Sequence, residues 1–547
     1  MGRFIIEDGV EMSMRDGTIL RGDIWRPEAE GPCPVLLQRT PYRREDAHGA
    51  QFISALNFQS ALRRGYAICV QDTRGRYGSE GMFDPFVHEA ADGADTIAWL
   101  RAQDWCDGRV AMFGASYVGA TQVLAASARP EGLAAISPQL TTARHGETWC
   151  YRGGAVELGF LMLWIIEALA PPDLERRLKT MPPAEAARAR ETLARLQADP
   201  HAAFSRDPEL DADLFALAPY AKRWFDEDRA MAAGEDREHL DRLAACNVPM
   251  LVTAGWNDIF VEGSIELFET ARSRHAGVGS IRDRLVIGPW SHGNPHDWQG
   301  DHWLGYGAST VFLSDRQLDF FDAVLNDRPP AGLMVHYFRT GSNTWHEATD
   351  WPIPGTRNLR FHLDGVRLDD TAPSATSPRR LTHDPADPVP TTGGASFLPG
   401  LLLGRNSGPK DQAGIEARDD VLLYTGAPLA SDLEVTGRVS ASLEVRSTPG
   451  PLHLAVRLCD VAADGRSVGI VDGIVRWNGT EGRVEVTVGH CSHLFRTGHR
   501  IRIQLAASNY PRFDLARKPV RPDHLNLLEI LIESGHLDLP TLASARD

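Results

Sequence analysis

The chain has 547 residues, 43% hydrophobic and 24% charged, and 57 Lys and Arg against 73 Asp and Glu give a net charge of −16. That length asks for several cores, the acidity argues against a nucleic-acid partner, and no run approaches the roughly 20 apolar residues of a membrane span. Residues 1–8 lack the apolar stretch of a secretory leader. The seven cysteines include no C-x-x-C pair, so a structural zinc or thioredoxin-like motif is not indicated and a reducing, cytoplasmic setting is expected. Cys69, inside the apolar run 66–70, is expected to be a buried, inert thiol.

Strand-like and helix-like segments alternate through residues 1–145. Residues 34–38, 66–70 and 110–113 are apolar strand candidates, and 51–64, 90–100 and 119–128 carry helical spacing. Such alternation implies a parallel sheet with helices on its faces. From 146 to 240 the composition shifts to helix formers at 158–169, 183–198 and 214–230, read as a helical insertion that could cover a site. The α/β pattern resumes from 241 to 350, with strands at 249–254 and 284–288 and a helix near 264–273. The remainder, 351–547, has a Pro/Thr/Ser-rich passage at 369–390, read as a long surface connection. Short alternating segments follow at 433–437, 439–445, 452–458 and 483–488, which suggest a sandwich or jelly roll.

The sharpest local signal is Gly114-Ala115-Ser116-Tyr117-Val118-Gly119, after a strand and opening a helix. A serine nucleophile on a strained strand-to-helix turn needs small neighbours, and the helix N-terminus favours negative charge on a reacting carbonyl. The same string also serves a helix N-cap serine. A nucleophile needs a base, and the base an orienting acid. Asp258 and His292 each follow an apolar strand-like run directly. Asp283, Asp297 and Asp301 compete for the acid role, and His296 and His302 for the base, without that placement. His292, His296, Asp297, Asp301 and His302 also form a rival metal-ligand constellation, but Gly293 and Pro295 argue against the helix that H-x-x-x-H would need. An oxyanion hole requires two donors. The Tyr117 amide is one. The early loop Arg39-Thr40-Pro41-Tyr42-Arg43-Arg44 has no glycine run to offer another, and its Tyr42 supplies a phenol that could equally be a packed aromatic.

Several stretches then resemble, in order, the cocaine esterase and X-prolyl dipeptidyl-peptidase family of serine hydrolases. They are Arg39-Thr40-Pro41-Tyr42, Gln71-Asp72-Thr73-Arg74-Gly75-Arg76 with Gly78-Ser79-Glu80-Gly81, the run from Asp104 to Val110 leading into Ser116, and Gly288-Pro289-Trp290-Ser291-His292. Asp384-Pro385-Ala386-Asp387-Pro388-Val389-Pro390 and Ser508-Asn509-Tyr510-Pro511-Arg512-Phe513-Asp514 resemble its C-terminal domain. The resemblance implies an α/β-hydrolase core (1–145 and 241–350), an inserted helical cap (146–240) and a C-terminal jelly roll (351–547). It implies a triad of Ser116, Asp258 and His292, with Tyr42 and the Tyr117 amide as oxyanion donors. Trp149, Trp164 and Phe260 are similar in placement to the acyl-pocket aromatics of the family's cocaine-esterase-like members, with ordinary helix packing the alternative for Trp164. Members acting on α-amino acid esters hold the ammonium with carboxylates just after the catalytic Asp; here Ile259, Phe260 and Val261 stand there, and Glu262 is the first acid.

The expected activity is therefore hydrolysis of small carboxylic esters through an acyl-enzyme, with no cofactor and no metal. The rivals are a dipeptidyl-peptidase or amidase, anchored by Glu147, Glu157 or Glu167, and a binding protein with a vestigial triad. The sequence names neither the physiological ester nor the oligomer, and it is compatible with a homodimer.

Overall fold

The computed structural model describes residues 3–28, 31–46, 56–205, 208–225, 234–273, 282–375, 377–398, 406–516 and 527–542. Its first sheet has ten strands. They are β1 (Phe4–Ser13), β2 (Ile19–Pro27), β3 (Cys33–Thr40), β4 (Ala67–Asp72), β5 (Cys106–Ala115) and β6 (Leu133–Gln139), then β7 (Leu251–Asn257), β8 (Arg284–Ser291), β9 (Val335–Arg339) and β10 (Thr344–Ala348). They lie in the order β1-β2-β4-β3-β5-β6-β7-β8-β9-β10. The strands from β4 to β9 in that order pair in parallel, and antiparallel partners close both edges.

The central strands are apolar on both faces. Val35 and Leu37 enter one core and Leu36 the other, and Leu285 and Ile287 are split in the same way from Val286. A period of two buries alternate residues on opposite faces, as expected for a parallel sheet covered by helices. Those helices include Glu89–Arg101, Tyr117–Ser127, Val261–Ser273 and Leu313–Leu325. Of the stretch read as helical at 51–64, the described part forms the helix Phe58–Arg63; residues 51–55 lie outside the described residues. The opening hairpin of β1 and β2 had no counterpart in the sequence reading, because β1 alternates between exposed and half-buried residues and the buried residues of β2 are interrupted by Arg21 and include Gly22 and Asp23, so neither strand is a continuous apolar run.

Between β6 and β7 the chain is mainly helical. Leu158–Trp164 runs through one π-helical turn (Ile165–Leu169) into Ala170–Arg177, and Pro183–Ala198 is helical as the composition suggested. The helix expected at 214–230 starts earlier, at Pro208, and stops at Leu217; Pro219 then opens a 3₁₀ segment to Phe225, since proline removes a donor and crowds the preceding turn. Residues 226–230 lie outside the described residues.

The C-terminal part is an all-β, barrel-like domain around its own core. Leu433–Ser447 is one long strand with a bulge at Val439/Ser440, where the alternation had suggested two. The passage read as a surface connection contributes Arg379–His383, which pairs antiparallel with Leu528–Thr541. Cys69 is fully buried, and none of the seven cysteines is in a disulfide.

Candidate active site

Ser116 sits between the end of β5 and the helix Tyr117–Ser127, with φ 61° and ψ −128°. A non-glycine residue there is strained, and the surroundings must hold it. Its N–H donates to the Gln139 carbonyl at 2.9 Å, and its own carbonyl accepts from Gly119 and Ala120 at 2.8 and 3.0 Å. The two flanking glycines are required sterically. A Cβ on Gly114 (φ +130°) would lie 2.3 Å from Val118 Cγ1. One on Gly119 would lie 2.6 Å from Thr141 Cγ2 and 3.1 Å from the Gln139 oxygen.

Asp258 and His292 follow β7 and β8, so three side chains meet at the carboxyl ends of parallel strands, where open α/β sheets place their sites. His292 Nε2 is 3.0 Å from Ser116 Oγ, and Nδ1 is 2.7 Å from Asp258 Oδ2. The three residues are 0–4% exposed. Asp258 Oδ1 accepts the Phe260 N–H at 2.7 Å, so both carboxylate oxygens are engaged. With Nδ1–H given to Asp258, Nε2 faces the serine hydroxyl as an acceptor.

The competing residues are engaged elsewhere. Asp283 accepts the Met250 N–H at the opposite end of the sheet, Asp297 accepts the Trp303 indole, and Asp301 pairs with Lys410. His296 donates its backbone N–H to Asn294, and His302 lines a separate cavity with Trp303 and His493. Among the described residues, no three His, Cys, Asp or Glu side chains converge to hold a metal ion.

Tyr42 reaches Ser116. Its hydroxyl hydrogen-bonds the Ser116 side chain and accepts the Trp164 Nε1–H at 3.0 Å. Trp164 can only donate, so the single phenolic proton is left for the serine side. Burial pushes this phenol up to about 12, against the opposing pull of the Trp164 hydrogen bond, so it stays protonated. Tyr117 contributes its backbone position at the first turn of the helix. Its buried hydroxyl accepts from the Phe86 N–H and donates to Glu89, both at 2.9 Å.

Trp149, Trp164 and Phe260 come together beside the histidine. Trp149 stacks on Phe260 at 4.2 Å and lies 5.4 Å from Trp164, and Phe260 meets His292 edge-on at 5.1 Å. Sequence reasoning missed three further rings. Phe160 lies between Trp164 and Phe260, at 5.6 and 5.4 Å. Phe86 meets Tyr117 and Trp149, and Phe397 lies 5.5 Å from His292. Only Phe160 carried a signal, four positions before Trp164 on one helix face.

The acids considered as ammonium anchors do not face these rings freely. Glu147 accepts the Gly153 N–H, Glu157 is buried between Arg152 and Arg512, and Glu167 is exposed. Glu262 pairs with His490 of the C-terminal domain at 2.8 Å. Burial alone would raise the Glu262 carboxyl, but His490 outweighs it and holds the group down at about 2.

The sheet order and this buried Ser–His–Asp arrangement define an α/β hydrolase. The family model "X-Pro dipeptidyl-peptidase (S15 family)" matches residues 16–294, and "X-Pro dipeptidyl-peptidase C-terminal non-catalytic domain" matches residues 326–529. A cocaine esterase from Rhodococcus sp. (strain MB1 Bresler) is 35% identical over 544 residues, covering 94% of this chain and 92% of its own. Two solved structures share the fold. One is an aminopeptidase from a marine sediment archaeon, Thaumarchaeota archaeon (TM-score 0.76, 22% identity, 99% of this chain and 97% of that one). The other is an α-amino acid ester hydrolase (TM-score 0.77, 21% identity, with the same coverage). The chain belongs to the S15 family of hydrolases.

Proposed function

We propose that the protein is a serine esterase that cleaves small carboxylic esters through an acyl-enzyme. The observation that carries this reading is the placement of His292 between Ser116 and Asp258, with the Tyr42 hydroxyl hydrogen-bonded to the same serine. Ser116 Oγ attacks the ester carbonyl as His292 Nε2 takes its proton, and Asp258 orients the ring and stabilises the imidazolium. Tyr42 and the Tyr117 amide hold the oxyanion. His292 returns the proton to the leaving alcohol. A water, deprotonated in turn by His292, cleaves the acyl–Ser116 bond. Neither metal nor cofactor takes part.

Trp149, Trp164 and Phe260 form the acyl pocket. An apolar acyl group gains from burial against these rings, whereas an ammonium there would be left unpaired at a cost. The similarity to a cocaine esterase supports the same preference. In this reading residues 1–145 and 241–350 are the catalytic core, 146–240 a cap over it and 351–547 a jelly roll. Seven cysteines without a disulfide suit a cytoplasmic enzyme.

The test is a kinetic panel of aryl esters, alkyl esters, amino acid esters and Xaa-Pro anilides, with a fluorophosphonate to titrate Ser116. The aryl and alkyl esters should show the highest kcat/KM. A dominant Xaa-Pro anilide activity would replace this reading with a peptidase, and an unlabelled Ser116 would replace it with a binding protein.

A further inference from the structure

The C-terminal run Ser508–Asp514, one of the stretches that resemble the family in sequence, docks against the start of the helix Leu158–Trp164. The Arg512 carbonyl accepts the Gly159 N–H at 3.1 Å, and Asp514 Oδ1 accepts the Val156 N–H at 2.9 Å. The loop therefore seats the start of the helix Leu158–Trp164, which carries Phe160 and Trp164.

From the same loop a buried line of charges leads toward Asp258. Arg512 Nη1 donates to Asp472 Oδ1 at 2.9 Å, and the rest of its guanidinium lies 3.3–3.4 Å from both oxygens of Glu157. Glu157 Oε1 is 3.2 Å from Arg152 Nε, and Arg152 Nη2 donates to the Ile259 carbonyl at 2.6 Å. Ile259 stands between Asp258 and Phe260, whose N–H grips Asp258 Oδ1. Asp472, Arg512, Glu157 and Arg152 are 1–8% exposed. Buried charges of this kind are expensive to desolvate, and what they supply is a fixed geometry.

We propose that Arg512 is a positioning residue for the hydrolytic site, acting through Glu157 and Arg152 to fix the turn that carries Asp258. Arg152 holds the carbonyl that follows the acid, Glu157 sets the direction of Arg152, and Arg512 sets Glu157. At Arg512 a planar guanidinium fork reaches Asp472 and both oxygens of Glu157, which an ammonium cannot span in one plane, while Arg152 hydrogen-bonds Ile259 through Nη2 and faces Glu157 with Nε as an ion pair. The inference rests on the reading of Asp258 as the orienting acid. It makes the C-terminal domain part of the esterase machinery rather than a passive neighbour. Arg339 and Glu434 also join the two domains, but from β9, two strands away from β7, and neither residue belongs to this line of charges.

The test measures kcat per fluorophosphonate-titrated Ser116, together with KM, on an aryl ester. Arg152→Lys, Arg512→Lys, their double variant and the control Arg339→Gln are compared with wild type. Each lysine variant should lower kcat by about tenfold with KM within about twofold, since a small displacement of a reacting group costs rate rather than binding. The double variant should fall no further than the worse single one, because both act on one line. Arg339→Gln should keep the wild-type kcat. Lysine variants with unchanged kcat, or a double variant losing the product of the two single effects, would overturn the inference. If Arg512→Lys does not fold, Glu157→Gln takes its place with the same expectations. A wild type that hydrolyses no ester overturns the esterase reading and this inference together; an active wild type with unaffected variants overturns the inference alone.

Discussion

Trp164 donates its indole N–H to the hydroxyl of Tyr42 over 3.0 Å, and so fixes which way the Tyr42 proton points. The sequence offered Trp164 as either a pocket wall or ordinary helix packing, and Tyr42 as either an oxyanion donor or a packed ring. In the proposed mechanism Trp164 therefore both lines the acyl pocket and aims the oxyanion donor.

Tyr42→Phe keeps the ring and removes the proton. Loss of one oxyanion donor should lower kcat by about 10²–10³-fold with KM nearly unchanged. Trp164→Phe removes the aiming hydrogen bond and trims the ring that packs on Trp149 and Phe160, and should lower kcat by less than Tyr42→Phe does, about 2–10-fold. Steady-state kinetics on an aryl ester separate the two. A Tyr42→Phe enzyme within a few-fold of wild type would return Tyr42 to a packing role.

Ser116→Ala should lower kcat by at least about 10⁴-fold, because a triad acts as a unit. Circular dichroism should show the fold intact. The substitution also removes the Oγ contacts to His292 and Tyr42, so fluorophosphonate labelling should vanish with the activity. Near-normal turnover in a folded variant would remove Ser116 from the mechanism.

Gly114→Ala places a Cβ 2.3 Å from Val118 Cγ1 at a φ of +130°. The strand-to-helix turn must then open, at a cost of about 1–3 kcal/mol. A fall in Tm should accompany a loss of kcat per titrated serine. A variant with wild-type Tm and kcat would show that the elbow has room that the contact distance denies.

Glu262 and His490 make stability depend on pH in two directions. The Glu262 carboxyl is held at about 2, below its usual 4.5, so its contribution is full above 4.5 and disappears as the pH falls toward 2. Burial disfavours the His490 charge, but Glu262 outweighs it and raises the imidazole above its usual 6.5. That contribution is full below 6.5 and disappears as the pH rises through the raised value. The Tm gap between wild type and Glu262→Gln should therefore be widest between about pH 4.5 and 6.5, and narrower on either side. At its widest it should correspond to about 1–3 kcal/mol. A gap independent of pH would mean that the pair is not ionic.

Much of the site was legible from local patterns. Gly114, Ser116 and Gly119 announce a tight turn after a strand because steric demands on a turn are local, and Asp258 and His292 stand directly after apolar runs because strand ends are local too. The parallel core showed itself through continuous apolar strands, and the helix 183–198 through its composition. What the sequence left open depended on residues far apart in the chain. The hydrogen bond from Trp164 to the Tyr42 hydroxyl spans 122 positions of chain. Phe397 reached His292 only through the docking of the C-terminal part. Glu147, Glu157 and Glu262 read as free acids until the fold supplied the Gly153 amide, Arg512 and His490. A hydrogen bond or ion pair between distant segments leaves no periodicity and no fixed spacing in the chain. The sequence therefore determined which groups could carry the chemistry, and tertiary packing alone decided which were aimed at it and which were already engaged elsewhere.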